Sequence, residues 1–400
     1  MPGSLRQYRN AKGSAYRSRS AEVLPRRKCQ TVGDRESATP QEIISCMHWF
    51  AEEFSSQMQR TTLVQARRAT LDFCLVHSSY PRSLDCHPGR VITDQYPCRR
   101  GGSSDVYFGH LNNEPTAVKR FRSFQDSDER EIRKKFIKEA LITQMLDHEH
   151  TIPFLTVQDN ESGLYIVTPW MENGNIVQYL KAGPSGLEEK IVDQIAQGIL
   201  YLREQSIVHA DIKSDNILVD DQGNARIADF GNAFYLGQYD SSSSSDSSPG
   251  THPWVAPELI MAGENREVPS PSFSSDVFAF GMVVYEIYST DIPLLAFANG
   301  KQFRAAMLIL EGSRPQRPST IPDDMWILVQ ACWAQDPSER PSIDEICRRV
   351  SFSDDSAEEE SAGKETKVSA GPRSSLHAES HSEWEDELDT DTLLPLPAGT

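Results

Sequence analysis

The sequence contains no run of about 18 consecutive apolar residues, which removes a membrane-spanning helix from consideration. Its amino end lacks the short apolar core of a secretory signal. Cysteine is sparse: Cys29, Cys46, Cys74, Cys86, Cys98, Cys332 and Cys347 make an odd seven, with no CxxC pair among them. That argues against a zinc or disulfide framework and fits a reducing, cytoplasmic setting. Apolar residues make up 38% of the chain, enough for a sizeable core but few for 400 residues folded end to end.

The net charge of −18 is unevenly placed. Residues 1–40 hold nine Lys/Arg and three Asp/Glu, a net of +6; residues 351–400 hold three and thirteen, a net of −10. Such ends read as a disordered basic arm (1–40) and a disordered acidic tail (351–400). The arm is Arg/Ser-rich like a transit peptide, but no apolar face recurs in it at helical spacing; a nuclear address is its alternative reading. The acidic EWEDELD stretch offers a strip for a basic partner. Nothing suggests a nucleic-acid-binding fold.

Between the tails, residues 41–77 carry apolar residues at three-to-four spacing, with Ile43, Ile44, Met47 and Phe50 on one expected face and Pro40 at the start. This predicts one or two helices in an N-terminal extension (41–85), a place for packing or for regulatory partners. From residue 90 the pattern turns to short strands, RVITDQYPC, SSDVYFGHL and TAVKRFR, with a turn at Asn112-Asn113. A charged helical run follows from Asp128 to Leu146, then an apolar strand, LYIVTPWM. Beyond it the chain reads as helical, interrupted by a polar loop, DSSSSSDSSP, at 240–249. Strands first and helices second imply an α+β, two-lobed domain over 90–350, with lobes at 90–170 and 171–350.

Moving a phosphoryl group needs a cation on the phosphates, metal-binding oxygens, and a carboxylate to orient the attacking hydroxyl. Lys119, mid-strand in TAVKRF, can hold phosphate oxygens, and Glu139, twenty residues on, can fix it. Either alone is ordinarily a surface residue. In HADIKSDNILV, Asp211 can accept from a hydroxyl, Lys213 can neutralise the moving group, and Asn216 can offer a carbonyl oxygen to Mg2+. Thirteen residues later Asp229-Phe230-Gly231 supplies a second metal oxygen at Asp229. A lone DFG string is common by chance; at this distance behind HxDxKxxN it is not.

These motifs together resemble the eukaryotic protein kinases. The resemblance covers about residues 90–350. It implies a bilobal fold, ATP and Mg2+ as cofactors, and protein substrates. It also implies that Ala256-Pro257-Glu258 ends the activation segment, that Arg340 pairs with its glutamate, and that Asp276 holds the catalytic-loop backbone. Thr168 matches the gatekeeper before a hinge at Pro169-Trp170-Met171; Val106 and Ala117 would roof the adenine, with Leu218 below. CWAQDPSERPS and LYIVTPWMENGNIVQYL resemble the tyrosine-kinase-like group, and HPGRVIT through AVKRF resembles kinases of mushroom-forming fungi. Lys213-Ser214-Asp215 and Gly250-Thr251-His252-Pro253-Trp254-Val255 resemble the serine/threonine type rather than the tyrosine or dual-specificity type.

Two departures stand out. The three positions of the glycine-rich lid carry Arg99, Gly101 and Ser104, so only Gly101 remains to approach the phosphates. Weaker ATP binding is expected. Ala210 stands where an arginine usually lies between His209 and Asp211, which implies activity that does not wait for an activation-loop phosphate at that pocket. The alternative to an active enzyme is a pseudokinase scaffold that holds partners through the extension and the acidic tail.

Overall fold

The computed structural model describes residues 38–85, 91–101, 104–122, 129–183, 185–237, 253–260, 270–289, 298 and 302–351. The expected loop at 240–249 lies outside them, as do the basic arm apart from 38–40 and the acidic tail apart from 351.

Two helices open the described chain, α1 (Pro40–Glu53) and α2 (Arg60–His77). Thr39 caps α1 in a capping box with Glu42, and Pro40 takes the first turn, where its missing N–H costs nothing. The expected apolar face is rotated. The buried positions are Ile44, His48 and Ala51, whereas Phe50 is 48% exposed. His48 is buried because both ring nitrogens are satisfied, Nε2 by Gln144 Oε1 at 3.0 Å and Nδ1 by Ser83 Oγ at 3.2 Å. A count of apolar residues cannot see that.

The sheet follows. Strands β1 (Val91–Thr93), β3 (Ser104–Leu111), β4 (Glu114–Phe121), β6 (Gly163–Pro169) and β5 (Thr156–Asn160) lie in that spatial order, all antiparallel, with β2 (Arg99–Arg100) paired to the start of β3. Asn112 and Asn113 join β3 to β4 at φ 54° and 69°, the left-handed pair a two-residue hairpin requires. Helix α3 (Glu129–Met145) packs behind the sheet.

After Met171 the chain is mostly helical. It comprises α4 (Ile176–Ala182), α5 (Glu188–Glu204), α6 (Pro257–Ile260), α7 (Phe273–Tyr288), α8 (Gln302–Leu310), α9 (Asp323–Cys332) and α10 (Ile343–Ser351). Two short antiparallel pairs accompany these helices: β7 (Ile207–Val208) with β10 (Phe234–Tyr235), and β8 (Ile217–Val219) with β9 (Ala225–Ile227). Almost every position of α7 is buried, marking it as the axis of this part. The expected Arg340–Glu258 pair is present and bidentate, at 2.8 and 2.7 Å, with the guanidinium stacked 5.0 Å from the Phe278 ring.

Candidate active site

Strand register explains why distant residues share one surface. In β3, β4 and β6, Val106 lies opposite Lys119, Phe108 opposite Ala117, and Ala117 opposite Thr168. Directly opposed residues share a sheet face, so Val106, Ala117, Lys119 and Thr168 lie on one side. Tyr107, Val118 and Val167 occupy the other and form a small apolar cluster there. Met171, buried, follows β6; Leu218 is the middle residue of β8 and packs against the main core. Gly101 lies at the turn from β2 to β3, where its N–H donates to the Ser104 carbonyl at 2.9 Å. A Cβ at Gly101 would sit 3.1 Å from that oxygen, a tight contact that a larger residue would make only if the Ser104 carbonyl gave way slightly.

Lys119 Nζ meets Glu139 Oε1 and Asp229 Oδ1, each at 2.7 Å. Glu139 is buried on α3 and Asp229 is part-exposed at the cleft. Burial disfavours each charge, and the cluster resolves it by pairing. Burial pulls the Lys119 ammonium down, but Asp229 and Glu139 more than compensate and hold its pKa above the usual lysine value. Burial pushes the Asp229 carboxyl up, yet Lys119 overrides this and holds it well below the usual carboxylate range. Glu139, deeper, is raised by burial in spite of Lys119.

The second constellation is the loop after β7. Lys213 Nζ contacts both oxygens of Asp211, at 3.0 and 2.8 Å. Asn216 donates through Nδ2 to the Asp211 carbonyl at 2.9 Å and to its Oδ2 at 3.0 Å. The remaining polar atom of the Asn216 amide is therefore its carbonyl oxygen. His209 is fully buried and held neutral by burial. Its Nε2 donates to the Ala228 carbonyl at 3.1 Å and its Nδ1 accepts from the Asp211 N–H at 3.2 Å. Phe230, fully buried, packs 5.1 Å from the His209 ring and ties the DFG turn to this loop.

The backbone here is set by α7. Asp276 accepts from the N–H groups of His209 at 2.8 Å and Ala210 at 3.0 Å. Ala210 has φ 62° and Asp229 φ 63°, left-handed conformations that non-glycine residues adopt only when their surroundings impose them.

Three relationships lay beyond sequence reasoning. Arg99 reaches Asp215 beside the catalytic motif, with Nη2 3.1 Å from Oδ2 and Nη1 3.2 Å from the carbonyl. Arg122 bonds the Gly101 carbonyl and steadies the lid from β4's end. Glu286, buried on α7, accepts from Trp254 Nε1 at 3.2 Å and from Ser214, joining the segment before Ala-Pro-Glu to the catalytic loop. Each joins residues roughly 20 to 120 apart, and no local pattern announces them. A polar cavity of about 320 Å³ lies apart from this site, bounded by Gln41, Tyr80, Arg133 and Asp159.

Comparison with known proteins agrees with this geometry. Residues 98–350, well over half the chain, match the family described as protein tyrosine and serine/threonine kinase. A serine/threonine-protein kinase/receptor of Acanthamoeba polyphaga mimivirus is 35% identical over 250 residues, covering 62% of this chain and 14% of that protein. The serine/threonine/tyrosine-protein kinase HT1 of Arabidopsis thaliana is 29% identical over 254 residues, covering 62% of each. A tyrosine-protein kinase transforming protein of avian sarcoma virus is 30% identical over 252 residues, covering 61% of this chain and 45% of that protein. The matched region is less than two thirds of each of these relatives. A protein kinase domain thus accounts for residues 98–350, and the chain belongs to the protein tyrosine and serine/threonine kinase family.

Proposed function

We propose that this chain transfers the γ-phosphoryl group of ATP to serine or threonine hydroxyls of proteins, and that its motifs place it in the tyrosine-kinase-like group. The observation that carries the reading is that five chemistry-bearing residues from four segments meet in two groups, Lys119 with Glu139 and Asp229, and Asp211 with Asn216, joined where the Ala228 N–H donates to the Asn216 main-chain carbonyl. In this reading Lys119, held by Glu139, anchors the phosphates against the face formed by Val106, Ala117 and Thr168. Met171 and Leu218 bound the adenine, and Gly101 lets the lid approach the phosphates. Asp211 accepts a hydrogen bond from the substrate hydroxyl and directs its oxygen at the γ-phosphorus. Lys213, already on Asp211, neutralises charge on the moving group.

The metal site fits Mg2+. Asp229 is kept ionised by Lys119, and Asn216 keeps its carbonyl oxygen for a cation. Among the described residues no group of three or more His, Cys, Asp or Glu clusters as a metal cage. Mg2+ needs none, since it takes one or two protein oxygens and fills its octahedron with phosphates and water. When bound it would screen the negative charge between β- and γ-phosphates.

Serine/threonine transfer is supported by Lys213-Ser214-Asp215 and by the residues before Ala256. Relatives of both specificities share the core. A degenerate peptide library with Mg-ATP tests the choice: phosphoserine and phosphothreonine are expected, and phosphotyrosine alone would reverse it. The free state of the described cysteines suits a reducing, cytoplasmic setting. The scaffold reading draws on one observation, Arg99 standing across the lid on Asp215. ATP binding without turnover would favour it.

A further inference from the structure

We propose that the α1–α2 helix pair is a built-in clamp that assembles the Lys119–Glu139–Asp229 cluster from behind, so that the N-terminal extension acts as the intramolecular activator of this kinase. The proposal rests on the reading that this cluster serves phosphoryl transfer.

Glu139 can hold Lys119 only if α3 stays in place. An exposed helix normally buries one stripe, but α3 buries Phe136, Ile137 and every residue from Glu139 to Thr143, positions that run right round the helix. The sheet covers one side, and the extension covers the other. Arg133 Nε donates to the Ser78 carbonyl at 2.9 Å, Phe136 meets the Tyr80 ring edge-on at 5.6 Å, and Gln144 holds His48. On a helix of 3.6 residues per turn, Arg133 and Gln144 fall within about 20° of each other and Glu139 about 120° away. The extension therefore grips the back of α3 and leaves Glu139 turned to the site. Ile44, Leu71, Cys74 and Leu84 join the same buried core as Phe136 and Leu141.

The pair also reaches the chain that follows the other carboxylate, Asp229. Arg68 on α2 donates to the carbonyls of Leu236 at 3.4 Å and Gly237 at 3.1 Å, just past β10 and seven to eight residues beyond Asp229. Arg60 and Arg67 anchor α2 to Glu204 and Gln205, at the end of α5. One helix pair thus touches the helix that carries Glu139 and the turn, at Leu236 and Gly237, that follows Asp229. It supplies mechanically what an activation-loop phosphate supplies where an arginine precedes the catalytic aspartate, and position 210 is alanine.

The test uses the full chain carrying Leu71→Asp, which places a carboxylate in the buried seam. Expected are faster amide exchange in α3 as well as in α1–α2, and a fall in kcat of about tenfold or more with a smaller change in KM for ATP. Loosened α1–α2 with α3 still protected and kcat unchanged would overturn the clamp. Should Leu71→Asp yield no folded protein, a double-mutant cycle of His48→Ala and Gln144→Ala decides: equal losses of kcat in each single variant with no further loss in the double support it, and parent kcat in all three overturns it. Exchange reads α3 without turnover. A parent chain no more active than Asp211→Asn would therefore sink the transfer reading alone, leaving the clamp to the exchange result.

Discussion

Arg99 spans the cleft mouth to Asp215, one residue before the Asn216 amide, pairing with both its carboxylate and its carbonyl. A position that the resemblance assigns to a flexible glycine is instead a charged latch between lid and catalytic loop. Both partners are about half exposed, so the pair contributes little to stability, about 0–1 kcal/mol, and is screened by salt. Arg99→Gly is expected to shift the thermal midpoint by no more than about 3 °C, to lower KM for ATP by up to about fivefold, and to flatten its salt dependence. Initial-rate kinetics at two ionic strengths check this; an unchanged KM in both would dismiss the latch.

Glu258 and Arg340 should respond differently. The Arg340 side chain is wholly buried and its bidentate partner is Glu258. Glu258→Ala leaves a buried guanidinium with only carbonyl partners, from Ser274, Ala334 and Gln335, and is expected to cost about 3–5 kcal/mol in denaturant unfolding. A loss below about 1 kcal/mol would show that the carbonyls suffice.

Stability should also depend on pH through α7. Burial raises the Asp276 and Glu286 carboxyls to about 7. Glu286 faces the donors Ser214 and Trp254, with Asp215 and Lys181 as the nearby charges. An acid raised on folding binds its proton more tightly in the native state. Its contribution is full below the unfolded value near 4–4.5 and is lost as pH rises through about 7. Stability from this pair therefore falls between about pH 4.5 and 7. Glu286→Gln should flatten part of that fall in chemical denaturation, and an unaltered pH profile would contradict the assignment.

Ala210 allows a prediction about control. Its φ of 62° costs about 1 kcal/mol for a residue with a Cβ, so Ala210→Gly should be tolerated or slightly stabilising. Phosphatase treatment of the parent should leave its rate unchanged. Ala210→Arg should create a phosphatase-sensitive rate, because the added cation beside Asp211 then needs a counter-anion. A parent rate that collapses on dephosphorylation would refute this.

Legibility in the sequence followed locality. Asp211, Lys213 and Asn216 fall within six residues, and the Asn112-Asn113 hairpin within two, so spacing alone placed them. Lys119, Glu139 and Asp229 are farther apart but sit in recognisable strings. The face of α1 was misread because its buried set includes His48, whose burial depends on Gln144, 96 residues away. Arg99 read only as a missing glycine, since its partner is 116 residues off. Glu286 is a polar position in an apolar helix, and only the fold shows Trp254 and Ser214 meeting on it.

The central claim is that Asp211, poised by Lys213 and Asn216, directs phosphoryl transfer from ATP. The most direct measurement compares Mg-ATP-dependent phosphorylation of a generic serine/threonine substrate by the full chain and by Asp211→Asn. The account predicts clear turnover by the parent, a fall of about 10²–10⁴-fold in the variant, and ATP binding kept in both. Equal rates in the two proteins, at background, would contradict it.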